Sequence, residues 1–189
     1  MNRSIARSLV VPAVFVTALA GMLLAAGPAV RPAAAEFEPD STGMLDVPLT
    51  MEQEHAIADS LINRLTRAWD AADVDEWIGQ FWPDATSVTL RGELLADRNE
   101  IRERQGALWT GILKGSRVKY STRRVRGLGN AALLVEADME ITGYGSLPAG
   151  IRARADGTLA ARTMITLLNR FGRWRILSCQ ETAVMGTPG

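Results

Sequence analysis

The sequence predicts an α+β domain in which three helices pack into a strongly curved, mostly antiparallel sheet that encloses a cone-shaped pocket. Helical periodicity dominates from residue 50 to about 112, and an extended pattern replaces it after Gly115. The elements also follow a particular order: two helices, a short hairpin, a third helix and then a run of long strands. Helices gathered at one end of a mostly antiparallel sheet are typical of the α+β class.

Each predicted helix has a start signal. Thr50 with Gln53 three residues later forms a capping box, and the stripe that follows is apolar at every fourth residue: Ile57, Leu61, Leu65 and Trp69. Asp73 is expected to cap a second helix that runs to Phe81 and ends at Pro83. Asp97 opens a third helix, which is expected to be buried along Ile101, Leu108 and Ile112.

The strands follow from period-two alternation and turn residues. A hairpin is expected at 86–90 and 93–96, and long strands near 116–126, 130–142, 159–169 and 173–184. In the second long strand one face is apolar and the other carries Glu136, Asp138 and Glu140. The neighbouring strand brings a basic row beside these acids, which predicts cross-strand ion pairs rather than catalytic carboxylates.

The N-terminus has the composition of a secretory signal peptide. Arg3 and Arg7 precede an uncharged apolar run over residues 9–26, and Ala33–Ala35 offers a small-residue cleavage site. The alternative is an uncleaved anchor, because the uncharged stretch is long enough to span a bilayer. Either way the sequence predicts a secreted or cell-surface protein.

These features divide the chain into four parts. Residues 1–35 are the signal peptide or anchor, 36–50 a flexible linker, 51–185 the folded domain and 186–189 a short tail. Membrane contact is expected only if the leader stays attached.

Composition argues against several functions. The 21 basic and 21 acidic residues balance, so no nucleic-acid partner is expected. The chain has one cysteine, Cys179, and one histidine, His55, which leaves no disulfide within the chain and no transition-metal site. Gly127 to Gly129 lies between strands, where it predicts a hairpin turn rather than a nucleotide-binding loop. No cofactor is expected.

Several short segments together resemble the NTF2-like superfamily. They are Ala68-Trp69-Asp70-Ala71-Ala72-Asp73, Phe81-x-x-Asp84-Ala85, Val88-Thr89, Leu95 to Ile101, Gly115-Ser116-Arg117, Arg173-Trp174-Arg175-Ile176 and Gln180-x-Thr182. Within the superfamily the chain is similar to the SnoaL-like and DUF4440 proteins, and most of all to the SgcJ/EcaC group. The resemblance covers about residues 52–184. It implies the cystatin-like cone and a homodimer.

The resemblance alone does not choose a chemistry, because the superfamily includes isomerases, dehydratases, cyclases, hydrolases and pure binders. The steroid isomerase branch uses a carboxylate base and two acidic donors. The base position falls on Thr89, the tyrosine position on Leu65, and the second acid near Met164 or Ile165. All three groups are absent here. His55, in the first turn of a helix, is expected to be exposed rather than catalytic.

The remaining expectation is an apolar pocket with a few polar groups. In the last strand, alternation groups Ser178 and Gln180 with Trp174 and Ile176, opposite a face with Arg175, Leu177, Cys179 and Glu181. With Trp174 inward, Gln180 would also point inward. The expected ligand-binding residues are Tyr120, Gln180, Ser178, Trp109 and Met139.

Three functions remain open at this point. The first is binding of a small apolar or aromatic molecule without a conventional catalytic set. The second is an enzyme acting on a polyketide-type substrate: a cyclase, an isomerase or a cofactor-free oxygenase. The third is a protein-interaction module with a filled cone. A pocket carboxylate with a strongly raised pKa would count against the first function.

Overall fold

The computed structural model of this chain describes residues 48–184. The predicted leader, most of the linker and the whole tail lie outside this range. The elements in chain order are α1 (Met51–Ala71), α2 (Val74–Ile78), β1 (Phe81–Val88), β2 (Leu94–Leu95), α3 (Arg98–Thr110), β3 (Arg117–Gly127), β4 (Ala132–Thr142), β5 (Leu159–Arg170) and β6 (Arg173–Ala183). None of the helices in this range is long and apolar enough to cross a membrane.

The six strands form one sheet in the order β2-β1-β6-β5-β4-β3. All neighbours are antiparallel except β1 and β6, which run parallel. Register shifts interrupt the pairing of β1 with β6, of β3 with β4 and of β5 with β6. Each irregularity bends its strand, so the sheet curves around the helices. Helix α1 packs along β3, α3 packs against β1, and α2 contacts both helices.

The predicted helix starts are confirmed. The Thr50 hydroxyl accepts a hydrogen bond from the Gln53 backbone N–H, and the Gln53 side chain accepts one from the Thr50 N–H at 2.9 Å. Asp73 and Asp97 each accept hydrogen bonds from two backbone N–H groups of the following turn. These contacts pair N–H groups that have no partner within the helix itself.

The predicted end of the second helix was wrong. Helix α2 stops at Ile78, and Phe81 begins strand β1 instead of ending the helix. Pro83 lies inside this strand, in the irregular stretch between Phe81 and Thr86, where β1 has no partner on its other side because β2 reaches only Ser87 and Val88. A proline has no N–H to donate, so it is tolerated at such an open edge.

The two faces of β4 behave as its alternation predicts. Val135, Ala137, Met139 and Ile141 are all almost completely buried in the core. On the other face, Arg123 of β3 donates to Asp138, and Arg126 donates to Glu136 at 2.7 Å. The acidic row therefore serves cross-strand pairing and does not enter the interior of the cone.

A buried hydrogen bond joins α1 to the start of β3. The Trp69 indole N–H donates to the Ser116 hydroxyl at 3.1 Å, and that hydroxyl donates to the Leu113 carbonyl at 2.7 Å. Both side chains are buried. Because Ser116 accepts and donates at once, it fixes the ring of Trp69 against the interior of the cone.

We predict that Ser116→Ala lowers the free energy of unfolding by about 1–3 kcal/mol, because the Trp69 N–H would stay buried without an acceptor. Urea unfolding of both proteins measures the difference. Ser121→Ala, five residues further along in β3, is the matched control, since Ser121 is exposed, and it should change stability by less than about 0.5 kcal/mol. Equal effects of the two substitutions would contradict a structural role for the Trp69–Ser116 bond.

Candidate functional site

A cavity of about 340 Å³ lies between the helices and the inner face of the sheet. Its wall is mostly apolar. The apolar lining residues are Trp69, Trp77, Leu90, Leu95, Ile101, Leu108, Ile112, Leu113, Met139, Ile141, Leu147, Pro148, Ile151, Leu159 and Cys179. The polar lining residues are Ser87, Thr89, Arg91, Arg104, Gln105, Ser146 and Glu181. A concave, mostly apolar space with a few polar groups is the usual form of a small-molecule site.

The loop between β4 and β5 supplies one wall of the cavity through Ser146, Leu147, Pro148 and Ile151. The Tyr144 hydroxyl donates to the Gly157 carbonyl at 2.7 Å, which ties the two ends of the loop together. The Gly145 N–H donates to the carbonyl of Ile112 at 2.7 Å and so attaches the loop to the segment after α3. The longest loop of the domain is therefore part of the site.

Glu181 is the one carboxylate that lines the cavity. Within residues 48–184 its side chain forms no hydrogen bond and no ion pair. Burial raises the pKa of its carboxyl from the ordinary 4.5 to about 7, because the charged form loses water and gains no partner. A carboxyl with that pKa exists in both protonation states near neutral pH.

A bulge in β6 explains why Glu181 points inward. Leu167 pairs with Ile176, whereas Thr166 pairs with Ser178, so Leu177 is an extra residue on β6. After this residue the alternation is reversed, and Cys179 and Glu181 join Ile176 on the inner face. The unbroken alternation expected from the sequence therefore assigned the wrong face to the end of the strand.

The groups around Glu181 do not titrate near neutral pH. Burial, with a smaller effect of the Glu181 charge, raises the pKa of Tyr120 well above its usual range. The same two causes raise the pKa of the Cys179 thiol. Cys179 is therefore a neutral thiol rather than a nucleophile. Glu181 is left as the group of this cluster that can exchange a proton at physiological pH.

Buried N–H donors accompany the carboxyl. Trp77 of α2 and Gln105 of α3 line the cavity, and the Nε1 atom of Trp77 and the Nε2 atom of Gln105 are buried without a hydrogen-bond partner within the described range. Buried polar groups nearly always have a partner, so each such group calls for an explanation. A hydrogen-bond acceptor on a molecule inside the cavity would supply one.

Of the five residues expected to bind the ligand, one lines the cavity, two lie near it and two lie on the opposite face of the sheet. Met139 lines the cavity. Tyr120 is half-buried close to Glu181, and Trp109 is buried behind the wall, with its ring 5.5 Å from that of Trp69. Ser178 and Gln180 lie on the outer face of the sheet, and Gln180 borders an open groove there. The reversal at Leu177 accounts for both of these displacements.

Glu181 was missed because no residue type marks the bulge. The signal available in the sequence was the spacing of Ile176 and Cys179, two apolar residues three positions apart, which strict alternation would place on opposite faces. His55 is exposed on α1, as expected. The part of the chain that the structure describes holds no group of three or more His, Cys, Asp or Glu side chains able to bind a metal ion.

No protein-family model and no curated protein matches this chain, but many solved structures do. An uncharacterized protein with a cystatin-like fold from Caulobacter vibrioides superposes with a TM-score of 0.60 at 20% identity, over 70% of this chain and 90% of that one. This chain has the cystatin-like, NTF2-like fold. At 14% identity, a ketosteroid isomerase-like protein from Erwinia carotovora atroseptica gives 0.57 over 70% and 98% of the two chains. A hexachlorocyclohexane dehydrochlorinase gives 0.56 at 13% identity, over 69% and 85%.

The raised pKa of Glu181 predicts a particular pH dependence of stability. Between pH 4.5 and about 7 the folded protein holds a proton on Glu181 that the unfolded chain has released. Stability therefore falls as pH rises through this window, by up to about 3 kcal/mol, and the loss is complete above pH 7. Glu181→Gln should remove this slope and be more stable than the native protein at pH 8.

Thermal unfolding from pH 4.5 to 8.5 tests this prediction. Glu103→Gln is the matched control, since Glu103 is exposed on α3, and it should leave the slope as it is in the native protein. Parallel stability profiles of the native protein and Glu181→Gln would contradict the raised pKa.

Proposed function

We propose that this domain is an enzyme that binds a small, mostly apolar molecule in its cavity and transfers a proton to or from it through Glu181. The observation that carries the proposal is the Glu181 carboxyl, which lines an apolar cavity and has a pKa raised to about 7. A general base or acid works best when its pKa is close to the operating pH. Perturbed carboxyl groups of this kind are concentrated at functional sites.

The donors in the wall suit such a reaction. In its charged form Glu181 removes a proton from a carbon of the bound molecule, and the electron pair moves to an electronegative atom of that molecule. Trp77 and Gln105 line the cavity and carry unpartnered N–H groups, which make them the candidate donors to the developing negative charge. In a site from which water is excluded, donors fixed in advance stabilise such charge more strongly than water does. Glu181 can then return the proton at a second carbon.

The similar structures are consistent with this proposal. The named functions among them include a ketosteroid isomerase-like protein and a dehydrochlorinase. At 13–14% identity these likenesses concern the fold alone, and the proposed activity follows from the cavity of this chain. The steroid isomerase positions are not repeated here: Glu181 stands on the last strand, at none of the positions expected for that branch.

Binding without turnover is the second candidate function. It is favoured by the wall itself, which is mostly apolar and offers a single carboxylate. A protein-interaction module, in contrast, predicts a filled cone, and the open cavity argues against it. The two leading candidates share the ligand class and differ only in whether Glu181 exchanges a proton with the ligand.

The cellular setting is also a proposal. The leader-like composition of residues 1–35 supports a domain that acts outside the cytoplasm. A homodimer is proposed on the resemblance described above. In that arrangement the outer face of the sheet, where Gln180 is exposed, is available for a second copy.

The base strength of Glu181 can be measured with 5-nitrobenzisoxazole, a small, mostly apolar molecule. Removal of the proton from its C3 carbon turns the C–N double bond into a nitrile and breaks the N–O bond, which releases a coloured phenolate. We predict that the native protein accelerates this reaction, and that the rate rises with pH to a plateau with a midpoint near 7. Glu181→Gln should lower the rate on the order of 100-fold.

Gln180→Ala is the matched control, because the residue is a neighbour on the same strand but lies on the outer face. It should leave the rate unchanged. Binding of the probe, followed by quenching of the tryptophan fluorescence of Trp69 and Trp77, is measured in parallel. Binding without Glu181-dependent turnover would reject the enzyme and leave the binding protein.

A further inference from the structure

The geometry points to an apolar monocarboxylic acid as the molecule that occupies the cavity, held with its carboxylate against Arg91 and Arg104 at the mouth and its apolar body inside. This inference rests on the proposed small-molecule function and names the class of ligand. Arg91 and Arg104 both line the cavity and also border a separate, open groove beside it.

Arg104 is the first of the two arginines proposed to bind the carboxylate. It projects from α3 into the lining of the cavity, and its Nη2 atom lies 3.0 Å from Glu93 Oε2. Its buried Nε–H has no acceptor within residues 48–184. An arginine presents several N–H donors in a fixed plane, which matches the two oxygens of a carboxylate. Glu93 therefore engages the Nη2 atom of this guanidinium, while the Nε–H is left without a partner in the described range.

Arg91 is the second of these arginines, and the turn after β1 holds its backbone in place. The Thr89 hydroxyl accepts hydrogen bonds from the backbone N–H groups of Arg91 and Glu93, both at 3.3 Å. Gly92 has φ +77°, a conformation that a side chain would strain, so a glycine is suited to the tip. Arg91 is exposed, lines the cavity and forms no ion pair with any residue of the described range. Two cations and one anion, Glu93, therefore surround the open groove.

The cavity also fixes the orientation of such a ligand. Glu181 lines the same cavity, and its charged form would repel a second carboxylate. An acid therefore binds with its charge at the arginines and its apolar part towards Met139 and Trp77. A carboxylate and a phosphate monoester share this charge chemistry, so the experiment includes both.

The test uses three probes that share one ring system: 1-naphthoic acid, 1-naphthylmethanol and 1-naphthyl phosphate, titrated calorimetrically at pH 7.5. The acid should bind at least about tenfold more tightly than the alcohol. Arg91→Gln and Arg104→Gln should each weaken the acid several-fold and leave the alcohol unchanged. Glu93→Gln should strengthen the acid several-fold, because it removes the competing carboxylate from Arg104.

Arg102→Gln is the matched control. Arg102 lies on the same helix, but its guanidinium donates to Asp75 at 2.7 Å and does not line the cavity. Equal affinities for acid and alcohol, unaffected by the arginine variants, would overturn the inference and leave the proposed function standing. Tighter binding of the phosphate than of the acid would also overturn it. Failure of all three probes to bind would overturn both proposals together.

Discussion

The extra residue at Leu177 in β6 decides which side chains enter the cavity. Before it, Ile176 faces the core, and after it the inner row continues with Cys179 and Glu181 instead of Ser178 and Gln180. A side-chain period of two leaves no intermediate arrangement, so one inserted residue moves every later side chain to the other face. The chemistry of this site therefore depends on one irregularity in the pairing of β5 with β6.

The apolar surroundings of the Glu181 carboxyl make its inward position energetically costly. A carboxylate inside an apolar wall with no cationic partner is held at an energetic cost that the rest of the fold must offset. The core does so through long buried stripes in α1 and β4 and through the Trp69–Ser116 bond, which together hold the wall in place. The protein keeps at least three unmatched polar groups in one cavity, namely Glu181, Trp77 and Gln105. Groups like these are stabilised when a ligand supplies the missing partners.

Much of the fold could be predicted from the sequence, because capping residues and apolar periodicity act locally. Thr50, Asp73 and Asp97 marked the helix starts, and the alternation in β4 identified its buried face. The end of α2 could not be predicted, since Phe81 satisfies both a helical stripe and a buried strand position. Pairing with Ile176 decides between the two, and pairing partners are not visible in local sequence.

The candidate site was predicted only in part, because local sequence does not show how strands pair and helices pack. Met139 followed from a regular strand and lines the cavity. Glu181, Arg91 and Arg104 depend on a bulge, on the shape of a turn and on how α3 packs against β1. The bulge and the packing of α3 depend on contacts between distant segments, and the turn residues do not by themselves show that Arg91 borders a cavity. Motif searches look for fixed sets of catalytic residue types, so a single glutamate in an irregular strand gives them no signal.

The protonation of Glu181 itself can be measured, and this measurement tests its proposed role most directly. The carboxyl carbon of each glutamate can be followed by ¹³C NMR during a pH titration, with the Glu181 signal assigned by its loss in Glu181→Gln. The Glu181 signal should titrate with a midpoint near 7. A midpoint near the ordinary 4.5 would show that the carboxyl is solvated, and would contradict both the raised pKa of Glu181 and its proposed role.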